Sequence, residues 1–115
     1  MIQEGQVVLF RFPTTGRAEW KLRPALVVRK LPGPYDDWLV CMISSQVERA
    51  IESFDEIICT SDLDFADSGL KTDSVIRISR LAAVERGILV GAIGHIGSER
   101  FSRIRASLSD WIKGR

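Results

Sequence analysis

Pro24-Ala25-Leu26-Val27-Val28 sets the architecture of this chain. The run is apolar, short and rich in β-branched residues, which reads as a buried strand. Proline has no N–H to give to a ladder, so Pro24 belongs at the strand's start or on an edge. Upstream, Gln6 to Phe12 (QVVLFRF) is apolar except for Arg11 and forms an earlier strand. Between the two, Pro13 to Leu22 is polar, holds Gly16 and is long for a hairpin connection; long loops in compact domains are often functional.

Downstream, Leu31 to Asp37 (LPGPYDD) is turn-rich, Trp38 to Ile43 (WLVCMI) is a third strand and Phe54 to Cys59 (FDEIIC) a fourth. Ser61 to Asp73 is acidic and loop-like. Ser74 to Ile78 (SVIRI) makes a fifth strand, with short strands around Leu81–Val84 and Leu89–Ile93. The period then changes. Phe101, Ile104, Leu108, Trp111 and Ile112 recur at spacings of three and four, the apolar stripe of a helix facing a core. Ser98 stands where an N-cap belongs, and Gly114 follows the last periodic residue. Short strands followed by one amphipathic helix imply a mainly β fold: a small, strongly bent sheet or barrel with a C-terminal helix packed on it. No repeat or linker divides residues 1–115, so one domain is expected.

The net charge of +1, from 16 basic and 15 acidic residues, excludes bulk electrostatic capture of nucleic acid. The charge is segregated, however. Residues 1–30 carry +4, residues 31–76 carry −8, residues 77–97 carry +2 and the rest +3. Twelve of the 16 basic residues are arginine, whose planar fork suits phosphate. Cys41 and Cys59 are 18 positions apart with apolar neighbours and read as buried, reduced thiols. With His95 as the single histidine, no zinc site of the usual kind can be assembled, and no metal or cofactor is expected. The N-terminus lacks the features of a signal peptide and no run is long enough to span a bilayer, so a cytoplasmic protein is expected. Phosphate-binding loops, HExxH and GxSxG are absent, which argues against nucleotide-dependent chemistry, metalloproteolysis and serine-hydrolase chemistry.

What remains lies at strand boundaries. Arg23 ends the basic loop just before Pro24, and Ser44 follows the apolar run of the third strand. If Ile76 and Ile78 face the core, Arg77 and Ser79 face outward together. Two arginines and a hydroxyl brought together would make an anion site able to stabilise charge on a phosphate in a transition state. Spacing alone favours the plainer reading, that each is a surface residue.

The motifs Gly5-Gln6-Val7, Phe12-Pro13, Lys21-Leu22-Arg23-Pro24-Ala25-Leu26-Val27-Val28, Ile43-Ser44-Ser45, Gly69-Leu70-Lys71 with Asp73-Ser74-Val75-Ile76-Arg77, and Ile93-Gly94-His95-Ile96 fall in the order seen in the PemK/MazF family of toxins. The chain resembles that family from about Gln3 to Asp110. The resemblance implies an SH3-like barrel, a homodimer, and metal-independent endoribonuclease activity on single-stranded RNA. It also implies a small antitoxin partner that, with the toxin, binds promoter DNA. Residue by residue, Arg23 falls on the family's catalytic arginine, Ser44 on the position of a catalytic threonine, and Arg77 on an arginine that some members use. Ser79 stands where some members have an aspartate proposed as general base, and Arg17 where some have a histidine. Neither residue here is a conventional base.

Under these constraints electrostatics carries the expected chemistry. The ribose 2′-hydroxyl attacks the adjacent phosphate, Arg23 and Arg77 stabilise its charge, and Ser44 holds the phosphate or the 2′-hydroxyl. Arg17, Trp20, Lys21 and Ser79 are expected to contact RNA, Trp20 as a stacking platform or else packed back on the barrel. Two rivals stand beside this reading. One is a binding module on the same fold with attenuated chemistry; the other is a gyrase-poisoning relative, for which the SLSDWIKGR ending gives no positive support.

Overall fold

The structure, a computed structural model, describes residues 1–13 and 20–115. Among these residues lie strands β1 (Gln6–Pro13), β2 (Trp20–Lys30), β3 (Asp37–Ser44), β4 (Glu56–Ile58), β5 (Ser74–Glu85) and β6 (Leu89–His95). Helix α1 (Phe65–Ser68) is a single turn, and α2 (Ser98–Lys113) closes the chain. The strands form one antiparallel sheet in the order β4-β5-β3-β2-β1-β6. The mainly β fold with a C-terminal helix is as expected. Barrel is a loose description, because no pairing joins β4 to β6 among the described residues.

Alternation of side chains divides the sheet into two faces. One carries Val7, Leu26, Val28, Cys41, Ile43, Ile76 and Ile78, packed with Ile58, Ile96 and the α2 residues Ile104 and Leu108. The other carries Val8, Phe10, Ala25, Val27 and Val40, gathered with Ile2 and Leu89 into a second cluster. Burial on both faces explains why the strands read as near-continuous apolar runs rather than as alternating ones. Cys41 sits in the first cluster, and burial, with the charge of Asp55 adding to it, pushes its thiol up to about 12. Cys59 is a free thiol like Cys41 but only half-buried, contrary to the expectation.

Several boundaries differ from the sequence reading. Pro24 lies inside β2, not at its start. Yet β3 pairs with β2 only from Ala25 opposite Met42 onward, so between Trp20 and Pro24 strand β2 is paired with β1 alone. The proline sits where that local edge begins, which is where a strand tolerates one. Ser74–Ile78 and Leu81–Val84 belong to one strand, β5, with a bulge: Met42 faces Arg77 while Cys41 faces Leu81, leaving residues 78–80 unmatched on β3. The expected strand Phe54–Cys59 is only the three residues of β4. The N-cap of α2 is Gly97 rather than Ser98. Its apolar stripe is buried at Ile104 and Leu108, half-buried at Phe101 and exposed at Trp111 and Ile112, whose turn runs past the edge of the core.

The acidic stretch is not free. Arg100, 8% exposed, donates from Nε to Asp64 Oδ2 (2.8 Å), from Nη1 to Glu56 Oε1 (3.1 Å) and the Ile57 carbonyl (2.9 Å), and from Nη2 to Asp62 Oδ2 (2.9 Å) and Asp64 Oδ1 (3.1 Å). Asp64 Oδ2 also accepts the Gly97 N–H at 2.9 Å, anchoring the start of α2. Two glycines complete this corner. Gly69 ends α1 at φ +75°, in the left-handed region. A Cβ on Gly69 would meet the Ile93 carbonyl, and one on Gly94 the Asp67 carbonyl, so α1 lies directly on the backbone of β6.

Candidate active site

Directly opposite residues of an antiparallel pair lie on the same face of a sheet. Phe10 faces Arg23, Val8 faces Ala25, Ala25 faces Met42 and Met42 faces Arg77. Two residues along β3, Ser44 shares the face of Met42. Arg23, Ser44 and Arg77 are therefore on one face, on the strands β2, β3 and β5 that neighbour each other in that order. Across the row from Ala25 to Arg77 the backbones are two strand spacings apart, about 10 Å, within the joint reach of arginine side chains. Continuing the β2–β3 register two residues past Ala25 and Met42 would set Arg23 against Ser44. The ladder stops short of that pair, leaving a fork at this end of the sheet.

The members of the set differ in exposure. Arg23 and Lys21 are exposed, and Lys21 lies two residues along β2 on the face of Arg23. Ser44 is half-buried; its Oγ accepts the Gln46 N–H at 3.1 Å and retains a proton to donate. Arg77 is half-buried, and its Nε is buried with no hydrogen-bond partner among the described residues. A buried donor without a partner costs free energy, about 1–3 kcal/mol for a typical group. Retaining a cation in that state on one face with the Ser44 hydroxyl suits a site that receives an anion.

Ser79 is placed differently from Arg77. Its N–H donates to Asp55 Oδ1 at 3.0 Å and its Oγ–H to Asp55 Oδ2 at 3.1 Å. The bulge over residues 78–80 breaks the alternation from which a shared outward face was expected. Arg17 lies outside the described residues. Trp20 is described only as the first residue of β2, opposite Pro13. His95 ends β6 opposite Gln6, at the far side of the sheet. Two residues with clear structural roles, Asp55 and Arg100, gave no sequence signal as individuals. The Ser79 partner of Asp55 lies 24 positions away and the partners of Arg100 lie 36–44 away, beyond any local pattern.

Among the described residues no group of three or more histidine, cysteine, aspartate or glutamate side chains is arranged to hold a metal ion. No described helix is long and apolar enough to cross a membrane. A groove lined by Tyr35, Asp36, Asp37, Glu85, Arg86 and Gly87 lies at the start of β3, the opposite end from Ser44. Its carboxylates make it a poor receptor for phosphate.

Arg23, Ser44 and Arg77 thus share one face of an antiparallel six-stranded sheet followed by a C-terminal helix, a mainly β fold. Residues 3–112 match the family model of the PemK-like, MazF-like toxin of type II toxin–antitoxin systems, and the chain belongs to that family. Its fold is similar to that of Mycobacterium tuberculosis toxin MazF-mt6 (TM-score 0.67, 14% identity, 94% of this chain and 96% of that one). It is also similar to a chain of MazE-MazF (Form-II) from Deinococcus radiodurans (TM-score 0.71, 17% identity, 99% and 97%). A third similar structure is an endoribonuclease in complex with its cognate antitoxin from Mycobacterial species (TM-score 0.65, 13% identity, 98% and 96%). At these identities the likeness is one of fold. No curated protein matches the sequence.

Proposed function

We propose that this chain is the toxin of a type II toxin–antitoxin pair and cleaves single-stranded RNA without a metal ion. In this reading residues 1–115 act as one toxin domain in the cytoplasm. The observation that carries the reading is the Arg77 guanidinium, whose buried Nε has no partner among the described residues, on one face with Ser44 and Arg23. Family membership supports it, as does the likeness in fold to an endoribonuclease from Mycobacterial species.

The proposed step is attack of a ribose 2′-hydroxyl on the adjacent phosphorus. The bond to the 5′-oxygen breaks, giving a 2′,3′-cyclic phosphate and a 5′-hydroxyl end. Water takes the 2′-hydroxyl proton and supplies the proton to the leaving oxygen. Arg23 and Arg77 neutralise the charge that builds on the non-bridging oxygens, and Ser44 donates its hydroxyl to one of them. Lys21, Arg17 and Trp20 guide the strand. A second copy of the chain, a small antitoxin and, with that antitoxin, promoter DNA are the proposed partners; antitoxin complexes among the similar structures support the first two.

The test is incubation of the purified protein with single-stranded RNA in excess chelator, followed by mapping of 5′-ends. New 5′-hydroxyl ends are expected, and Arg23→Ala removes them while the circular dichroism spectrum stays as in the parent. Charge stabilisation by one such group is worth about 10²–10³ in rate, so an Arg23→Ala variant that cuts at the parental rate overturns the assignment. A second reading, a binding module with attenuated chemistry, is favoured by the hydroxyl of Ser79 being committed to Asp55. It requires RNA binding without new ends.

A further inference from the structure

Among the described residues, strand β5 lacks ladder partners on both sides at Ser79. On one side β4 pairs only with residues 74–76, the last pair being Glu56 opposite Ile76. On the other, the bulge leaves residues 78–80 unmatched by β3. The Asp55 carboxylate fills the gap. Oδ1 accepts the Ser79 N–H, and Oδ2 accepts both the Ser79 Oγ–H and, at 2.9 Å, the Ile51 N–H. Asp55 also donates its own N–H to the Ile51 carbonyl at 2.9 Å, which closes a turn containing Ser53 at φ 66°. A serine in the left-handed region is costly and has to be held there by its surroundings.

That turn ends the loop that leaves Ser44. One carboxylate thus joins the segment following Ser44 to the bulge two residues past Arg77. Bulges re-aim the side chains around them. Among the described residues no hydrogen bond holds the Arg77 Nε, so its direction depends on backbone and packing. We propose that Asp55 is a positioning residue of the RNA-cleaving site: it pins the β5 bulge and the 51–55 turn so that Arg77 is aimed at the phosphate. The inference rests on the endoribonuclease reading above.

Both carboxylate oxygens accept hydrogen bonds, and an amide can replace only one of them. Asp55→Asn therefore keeps the volume and the Ser79 N–H contact but loses acceptance on the other oxygen. In Asp55→Ala and Asp55→Asn we expect kcat to fall about 10–100-fold, the loss a misplaced group of this kind produces. KM for single-stranded RNA moves by less than about twofold, because the binding contacts from β2 are intact. Ser79→Ala, which removes one of three hydrogen bonds, shows a smaller loss. Where Asp55→Ala does not fold, Asp55→Asn decides.

A reading independent of turnover is the Arg77 Nε–H resonance in 15N NMR. It is displaced in Asp55→Asn and unchanged in the control Glu48→Gln, an exposed residue of the same loop. A folded Asp55→Asn that cuts at the parental rate overturns the proposal. So does one that slows cleavage while the Arg77 resonance stays at the parental position. If the parent itself cuts no RNA, the endoribonuclease reading fails, and the resonance alone decides: displaced, Asp55 positions Arg77; unmoved, it does not.

Discussion

Arg77 carries two opposing demands. Its partner across the sheet is Met42, on the face of the apolar cluster formed by Val8, Ala25 and Val40, yet its Nε lacks a hydrogen-bond acceptor. A group held this way destabilises the folded protein and is useful once an anion arrives. Arg77→Met should therefore separate the two properties. RNA cleavage drops sharply, while the urea midpoint holds or rises, by the equivalent of about 1 kcal/mol. A clear fall in the midpoint would mean that Arg77 stabilises the resting fold. Family motifs grouped Arg23, Ser44 and Arg77, whereas strand spacing alone favoured three separate surface residues. The commitment of Ser79 to Asp55 could not, because a bulge has no fixed sequence period.

Elements show the same division. β1, β3 and α2 were legible from apolar runs and from the period of the last segment, since burial on one or both faces writes itself into residue spacing. β2 was read short, because its first residues include the exposed Lys21 and pair with β1 alone, and β5 was read as two strands, because polar Ser79 and Arg80 fall on the bulge in its middle. The motif glycines at 69 and 94 proved to be structural: they let α1 rest on the backbone of β6. Gly94→Ala should destabilise the fold by about 1–3 kcal/mol, as overpacking does, measured by urea denaturation. Gly91→Ala on the same strand, where a Cβ meets nothing within 4 Å, is the control and should cost far less.

For the molecule as a whole, the near-neutral sum conceals two arrangements. Basic residues of β2 and β5 stand at the fork, while three side chains of the acidic stretch, Glu56, Asp62 and Asp64, are paired with Arg100, and Glu56 also with Arg103. The Arg100 hydrogen bonds, aided by the Gly97 N–H and opposed by burial, hold the Asp64 carboxyl below its ordinary value of 3.8. A lowered carboxyl contributes stability that is fully present above the ordinary value and is lost as the pH falls through the folded one. Arg100→Met takes the guanidinium from the half-buried carboxylates of Asp62 and Asp64, and because these keep contact with water the cost at pH 7 should stay below the about 3–5 kcal/mol of a fully buried pair. Urea titrations at pH 7 and pH 3 should show that deficit shrinking in acid as the carboxylates protonate. A pH-independent deficit would contradict the ion-pair account. Composition, apolar periodicity and short motifs settled the strand-rich fold, its closing helix and its family, because those depend on local spacing and on which residues must leave water. The fork at Pro24, the Asp55 clamp and the Arg100 hub were set by folding alone, since each joins groups far apart in the chain through hydrogen bonds that no local pattern encodes.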